Sequence, residues 1–225
     1  MRYALNEATM HTADMNLVLL GGGGHALVVA EAAALAGYFV TGFYDDRTDA
    51  VLARRVAAVR LGSLDDFLNA DGATAYIITI GDTATRAALE HRVRRGRPAT
   101  RACRAIVHPR AIVSPSAELG AGVFVGPGAI VHSFAQVGEH AIINSGAIVE
   151  HECKVGEHAH IAPGAVLGGN VSVGRATLLG IGSRVIPRVK VGNECVVGSG
   201  AVVIRDVPDR ARVVGVPARV MDERP

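Results

Sequence analysis

The 225-residue chain has no tryptophan, few aromatic residues of any kind (4%) and only two lysines, Lys154 and Lys190. Its 23 basic and 21 acidic residues nearly cancel, for a formal net charge of +2. A nucleic-acid binder needs a basic face or aromatic stacking platforms, and neither is present. Three cysteines, Cys103, Cys153 and Cys195, form no CxxC pair. So sparse and odd a set argues against a disulfide framework and for a reducing, cytoplasmic setting. Long apolar runs are missing too. The longest, Ala26 to Val40, has 15 residues and contains Glu31, too short and too interrupted to span a bilayer. Residues 1–14 have neither the basic start nor the apolar core of a signal peptide, and read as a loose extension. Disorder is excluded by 49% hydrophobic against 20% charged residues.

What is plentiful is glycine, 27 residues, and its distribution divides the chain. Over residues 15–106, strand-like and helix-like stretches alternate. Leu17–Leu20 reads as a buried parallel strand, followed by Gly21–Gly24 and a helix from about His25 to Ala36. Val40–Tyr44 and Tyr76–Ile80 read as further strands, and Thr83–Arg95 as a helix that Asp82 or Thr83 could cap. The alternation predicts a small Rossmann-like α/β domain with a parallel sheet, about half the size of a full dinucleotide-binding domain.

From Val107 the sequence repeats every six residues. All seventeen first positions, Val107 through Val203, are Val, Ile or Leu. Every fifth position, from Ala111 to Val207, is Ala, Val, Cys, Thr or Ser. Glycine fills the second position nine times, and proline the third at Pro109, Pro115, Pro127, Pro163 and Pro187. Six residues make one short strand and one sharp turn, and three such units make an 18-residue triangular coil. Each coil buries its aliphatic face only against its neighbours, so residues 107–208 form a solenoid, with 209–225 as a tail. The repeat resembles the hexapeptide repeat of the left-handed parallel β-helix acyltransferases. That resemblance implies the handedness, acyl-CoA as co-substrate, and a homotrimer with acyl-CoA in the groove between adjacent helices. The segment Val214-Gly-Val-Pro-Ala-Arg219 resembles the family's tail near the CoA.

Several motifs could carry chemistry. Gly21-Gly-Gly-Gly-His25-Ala26 follows a strand and opens a helix, with Gly21, Gly23 and Ala26 in GxGxxA spacing. Such a loop admits a phosphate to backbone N–H groups at the positive end of a helix, or is simply a tight turn. Asp45 and Asp46 end the next strand, where an acid can hold a ribose or base edge or merely face solvent. In Glu150-His151-Glu152-Cys153, His151 holds an outward, turn-forming third position. It is either an unremarkable surface histidine or a general base oriented by Glu152. Cys153 fills a small-residue fifth position, which favours packing over a nucleophilic role. Asn144 breaks the glycine preference at a second position. His140 and His158 lie one coil apart and should stack. With His132 and His160 they leave open a metal site like that of the gamma-class carbonic anhydrases.

Taken together, GGGGHA, Tyr-Asp-Asp, Ile80-Gly81-Asp82 and Asn144…Glu150-His-Glu-Cys…His160 resemble one bacterial sugar acetyltransferase family. It includes bacillosamine-pathway and perosamine N-acetyltransferases and sialic acid O-acetyltransferases. The resemblance covers residues 16–221. It implies His151 as the base, Glu152 as its orienting partner and Asn144 lining the same site. It puts Gly23, Gly24 and His25 at the pyrophosphate, Asp45 and Asp46 at base and ribose, and Gly81 and Asp82 at the substrate. His160, Gly169, Gly180, Ser199, Gly200 and Arg219 are implied along acetyl-CoA. The expected reaction is N-acetylation of the 4-amino group of a UDP- or GDP-linked amino-dideoxy sugar for surface polysaccharide, without a metal. O-acetylation of a sialic acid or similar sugar is the alternative, and a nucleotide-sensing scaffold without catalysis is the non-enzymatic one.

Overall fold

The computed structural model describes residues 15–56, 58–70, 75–96 and 102–221. The reading of residues 1–14 as a loose extension lies outside the described residues. In the N-terminal part, β1 (Asn16–Leu20), β2 (Phe39–Tyr44), β3 (Arg60–Gly62) and β4 (Ala75–Ile78) form a parallel sheet ordered β3-β2-β1-β4. Helices α1 (Gly24–Leu35), α2 (Val51–Arg55), α3 (Leu64–Asn69) and α4 (Thr83–Arg95) connect the strands and follow them. Leu17 and Leu19 belong to the apolar cluster with α1, Val18 and Leu20 to the one with Phe67 of α3 and Leu89 of α4. Both faces of β1 are therefore covered, which is why it is apolar without alternation. The α2–β3–α3 stretch escapes a reading from periodicity because its elements are three to six residues long. Its one local signal is Ser63, whose hydroxyl and backbone form a reciprocal capping box with Asp66.

From Ile106–Val107 to Val202–Val203 the chain makes seventeen two-residue strands. Each of the first fourteen pairs in parallel with the strand 18 residues on: Gln136 with Lys154, Ile142 with His160, Ile148 with Val166. The result is a left-handed β-helix with three sheets. First-position residues such as Val131, Ile143, Val149 and Ile161 and fifth-position residues such as Ala141, Ala147 and Cys153 are fully buried in one continuous core. The stack runs on past residue 208, since Arg212–Val214 pairs with Val196–Val197 and then turns back onto Arg219–Val220.

Every fourth position from Gly122 to Gly200 has a positive φ. Six of the fourteen are glycine; the other eight, including Phe134, His140, Glu152, His158 and Asn170, hold φ of 51–66°. A left-handed residue is what turns the chain through each corner.

The three faces have different fates. On the first, Ile106, Phe124 and Ile142 join Ala26, Val29 and Ala33 of α1 in one cluster, so the α/β domain sits on the early coils. The second presents Glu118, Gln136, Lys154, Ser172 and Lys190, all polar. The third presents Ile112, Ile130, Ile148 and Val166, apolar and only partly shielded within the chain. No helix among the described residues is long and apolar enough to cross a membrane.

Candidate active site

The glycine loop is built to a tight specification. Gly21 has φ +111°, and a Cβ on Gly22 would fall 2.5 Å from the Phe43 ring. Gly23 and Gly24 are exposed, with nothing within 4 Å of a built Cβ. The loop is held from three sides. Gly21 N donates to Tyr44 O at 2.8 Å, Gly22 N to Asp45 Oδ2 at 2.6 Å, and the buried Thr79 hydroxyl to Leu20 O and Gly21 O at 3.0 and 2.7 Å. Gly23, the N-cap of α1, offers no side-chain cap, so the open end of this twelve-residue helix faces outward at Gly23–Gly24.

The acids of the α/β domain are tied into the backbone. Asp45 accepts from Gly22 N and, at 2.8 Å, from Arg47 N. Asp46 accepts from Leu64 N at 2.9 Å. Asp82 caps α4 by accepting from Thr85 N and the Thr85 hydroxyl, which hold its carboxyl below the ordinary range. Each thus has a local structural role, whatever else it touches.

One group joins the two domains. His25 lies edge-on to Phe124, ring centroids 5.3 Å apart, and 6.4 Å from the His160 ring. Its Nε2 is buried without a partner among the described residues. His160 Nδ1 donates to Gly81 O at 3.1 Å, and Asn144 Nδ2 lies 3.0 Å from His160 Nε2. Asn144 Oδ1 accepts from Ser145 N, so its amide nitrogen is the donor and His160 Nε2 the acceptor. His160 is thus a neutral imidazole with its proton on Nδ1. Burial, helped by the Arg86 charge, pushes it down to about 4, against a small upward pull from Gly81 O. His25 also falls to about 4, through burial first and then His160 and Arg86.

A second group sits at another corner. His151 Nδ1 is 3.1 Å from Glu152 Oε2, and both side chains are exposed. A carboxylate can only accept, so Nδ1 carries a hydrogen, and in the neutral ring Nε2 is the nitrogen with the lone pair. A Cβ on Gly169, one coil on, would lie 2.6 Å from that Nε2. Gly169 leaves room for the ring. The strand Ile148–Val149 separates this corner from Asn144. Cys153 is fully buried and its thiol donates to Gly168 O at 3.2 Å, with burial raising its pKa, so it offers no thiolate.

Of the other expected acetyl-CoA residues, Gly180 is buried, and a Cβ there would strike Val197 O at 2.6 Å, so coil stacking alone requires it. Ser199 and Gly200 are exposed at the same corner one coil on. Arg219 lies on the strand that turns back beside the last coils and donates to Ala218 O. His140 and His158 do stack, 5.2 Å apart at 5°. The four histidines of the alternative metal reading do not come together as one group, however. His132 faces Glu150 at 3.8 Å, His160 faces Gly81, and no metal-holding group is found among the described residues. Thr79 and Arg86 were not legible as site residues; nothing in α4's sequence marks which of its arginines turns inward.

Comparisons with known proteins agree with this architecture. Residues 16–93 match the PglD N-terminal domain family and residues 134–169 the bacterial transferase hexapeptide (six repeats) family. None of the curated protein sequences compared with the chain matches it. Among solved structures, a histidine-to-asparagine variant of perosamine N-acetyltransferase from Caulobacter crescentus, in complex with CoA and GDP-perosamine, is 37% identical. That match covers 92% of this chain and 97% of the other, with a TM-score of 0.83. The acetyltransferase domain of PglB from Neisseria gonorrhoeae, in complex with acetyl coenzyme A, is 31% identical over 92% of this chain and all (100%) of that one, with a TM-score of 0.85. WeeI from Acinetobacter baumannii, 24% identical with a TM-score of 0.80, shares the fold over 92% of this chain and 100% of its own. With an α/β domain bearing an open glycine loop, a hexapeptide β-helix and this likeness over nearly the whole chain, the protein belongs to the nucleotide-sugar acetyltransferase family.

Proposed function

We propose that the protein transfers the acetyl group of acetyl-CoA to the 4-amino group of a nucleotide-linked amino-dideoxy sugar. The α/β part, residues 15–106, holds the nucleotide, and the β-helix, 107–208, carries out the transfer. The observation that carries this reading is the seam where Gly81 of the α/β domain meets His160 of the β-helix, with His25 alongside. A diphosphate on the open end of α1 would direct its sugar toward that seam.

Amide formation begins when the sugar's amine adds to the thioester carbonyl. The C–N bond forms first, giving a tetrahedral intermediate, and its collapse then breaks the C–S bond. The proton that the nitrogen must lose goes to His151 Nε2, while Glu152 holds the opposite ring nitrogen. That proton then returns to the leaving CoA thiolate. The amine attacks directly, so no acyl-enzyme is needed and Cys153 takes no part.

A homotrimer completes the site in this reading. The apolar third face needs a partner, and its two edges carry the two halves of the chemistry. His151 and Glu152 lie beyond one edge; Asn144 and His160 lie at the other. A distinctive feature of the second edge supports acetyl-CoA there. From the second coil on its fourth-position residues are glycine, Gly128, Gly146, Gly164, Gly182 and Gly200, with Arg110 at that place in the first coil. At the other corners the same conformation is held by Phe134, Glu152, His158 and Arg188, so the turn does not demand glycine. A Cβ at Gly146, Gly164, Gly182 or Gly200 would meet nothing within 4 Å. What is kept clear is the space outside the chain, as a pantetheine arm would require. We assign the reaction to the cytoplasm, in polysaccharide synthesis.

The relative that binds GDP-perosamine makes a GDP-linked 4-amino-4,6-dideoxy sugar the first substrate to try. The test is thiol release from acetyl-CoA with UDP-, GDP- and dTDP-linked 4-amino sugars, and with a sialic acid beside them. Turnover with a nucleotide-linked amine and none with the sialic acid is expected. Turnover with the sialic acid alone would replace N- by O-acetylation.

A further inference from the structure

Arg86 is among the most deeply buried charged side chains described, 1% exposed, and it donates to no carboxylate. Its guanidinium instead reaches six backbone carbonyls in two domains. Nη1 donates to Ile80 O and Gly81 O at 2.8 and 2.9 Å, with Asp82 O at 3.4 Å. Nε donates to His140 O at 2.9 Å; Nη2 donates to His158 O at 2.5 Å, with Ala159 O at 3.4 Å. Three carbonyls belong to the loop before α4, and three to the turns of two successive coils. A planar fork with five donors can bridge such a set; a lysine's single nitrogen cannot.

The loop that Arg86 pins is the one that meets the site. Gly81 O accepts from Arg86 and from His160 Nδ1 on the same oxygen. The chain of bonds continues through His160 Nε2 to the Asn144 amide, whose oxygen is fixed by Ser145 N. One hydrogen of Asn144 Nδ2 is left over at the edge proposed for acetyl-CoA. The orientation of that last donor therefore depends on which nitrogen of His160 is protonated, and so on where Gly81 O is held.

We propose that Arg86 is a positioning residue for acetyl transfer: by clamping the Ile80–Asp82 loop to the turns at His140 and His158, it aims Gly81 O at His160 and fixes the Nδ1–H tautomer. This rests on the reading that His160 and Asn144 line the acetyl-CoA site. Without the clamp, Gly81 O moves, His160 is free to carry its proton on Nε2, and Asn144 must then turn its oxygen toward the ring. The donor aimed at the thioester is lost although no residue touching the substrates has changed. The Arg86 charge serves the same end, since it opposes a second proton on His160 and on His25.

The test uses the full-length protein with ¹⁵N-labelled histidine, the His160 signal being identified by its loss in His160→Gln. In the wild type, His160 should show a protonated Nδ1 and an unprotonated Nε2 at neutral pH. In Arg86→Met the tautomer should shift toward Nε2–H, and kcat should fall about 100-fold, the scale of a misplacement near 1 Å, with little change in KM for either substrate. Arg86→Lys should move both readouts in the same direction by less. A purely structural role for Arg86 would lower the melting temperature but leave the tautomer as it was, which would overturn the proposal. A wild-type His160 protonated on Nε2 would overturn it without any variant, should Arg86→Met fail to fold. The underlying site reading is tested separately: His160→Gln with wild-type kcat would remove that reading, while the tautomer shift in Arg86→Met would still report the clamp.

Discussion

The His151 ring is confined from behind by the coil that follows it. A methyl group on Gly169 would stand 2.6 Å from Nε2, and the atoms it meets belong to a side chain that can swing away. Gly169→Ala should therefore leave the melting temperature unchanged and lower kcat about 10- to 100-fold, by displacing the base rather than removing it. Steady-state kinetics with a thermal melt checks both parts; an unchanged kcat would mean the ring position is not critical. Cys153→Ala should keep kcat near wild type, since the thiol only packs and donates to Gly168 O. At this scale the sequence was readable wherever the repeat fixes a side chain's direction. The outward third position of His151 and the inward fifth of Cys153 both follow from counting in sixes. The partnership of His160 with Gly81, 79 residues apart, and the inward turn of Arg86 depend on how one domain docks on the other, which no local pattern encodes.

Two elements dominate ligand recognition in this account, the glycine loop and the glycine edge. Asp45 ties Gly22 N to the end of β2, so Asp45→Ala should loosen the loop. Loss of one charged hydrogen bond costs about 1.5–3 kcal/mol, and KM for the sugar nucleotide should rise roughly 10- to 150-fold. KM for acetyl-CoA should stay put; equal rises in both would point to a folding defect. On the edge, Gly182→Asn is the informative change, because Asn170 already holds φ 58° at the equivalent place in another corner. The fold should survive, and KM for acetyl-CoA should rise by about tenfold or more, the equivalent of about 1.4 kcal/mol. An unchanged KM would place the co-substrate elsewhere. The seventeen strands were visible in the sequence because each repeats the same physics every six residues. Elements α2, β3 and α3 were not, because pieces of three to six residues are held by tertiary contacts rather than by a period of their own.

For the whole molecule, the proposed function predicts a homotrimer of about 70 kDa, three chains of 23.3 kDa, closed on the apolar third face. Ile148→Glu puts a charge in the middle of that face; sedimentation should show smaller species, and activity should fall with them. The buried histidines add a pH dependence to stability. His25, His140, His158 and His160 are lowered to about 4, 3, 4 and 4, burial being the chief cause of each. The unfolded chain takes up these protons near the ordinary value of 6.5, which the folded chain refuses. Stability is thus full above about pH 6.5 and is lost as pH falls toward 4, by up to about 1.4 kcal/mol per pH unit for each histidine. Denaturant titrations at pH 7 and pH 5 should differ accordingly, and equal midpoints would mean these rings are hydrated in solution. The central claim is that His151 takes the proton from a sugar amine as it attacks acetyl-CoA. The direct measurement is kcat of the wild type and of His151→Asn with acetyl-CoA and a GDP-linked 4-amino-4,6-dideoxy sugar. The account predicts a fall of about 10²- to 10⁴-fold with both KM values nearly unchanged; a variant keeping more than about a third of wild-type kcat would contradict it.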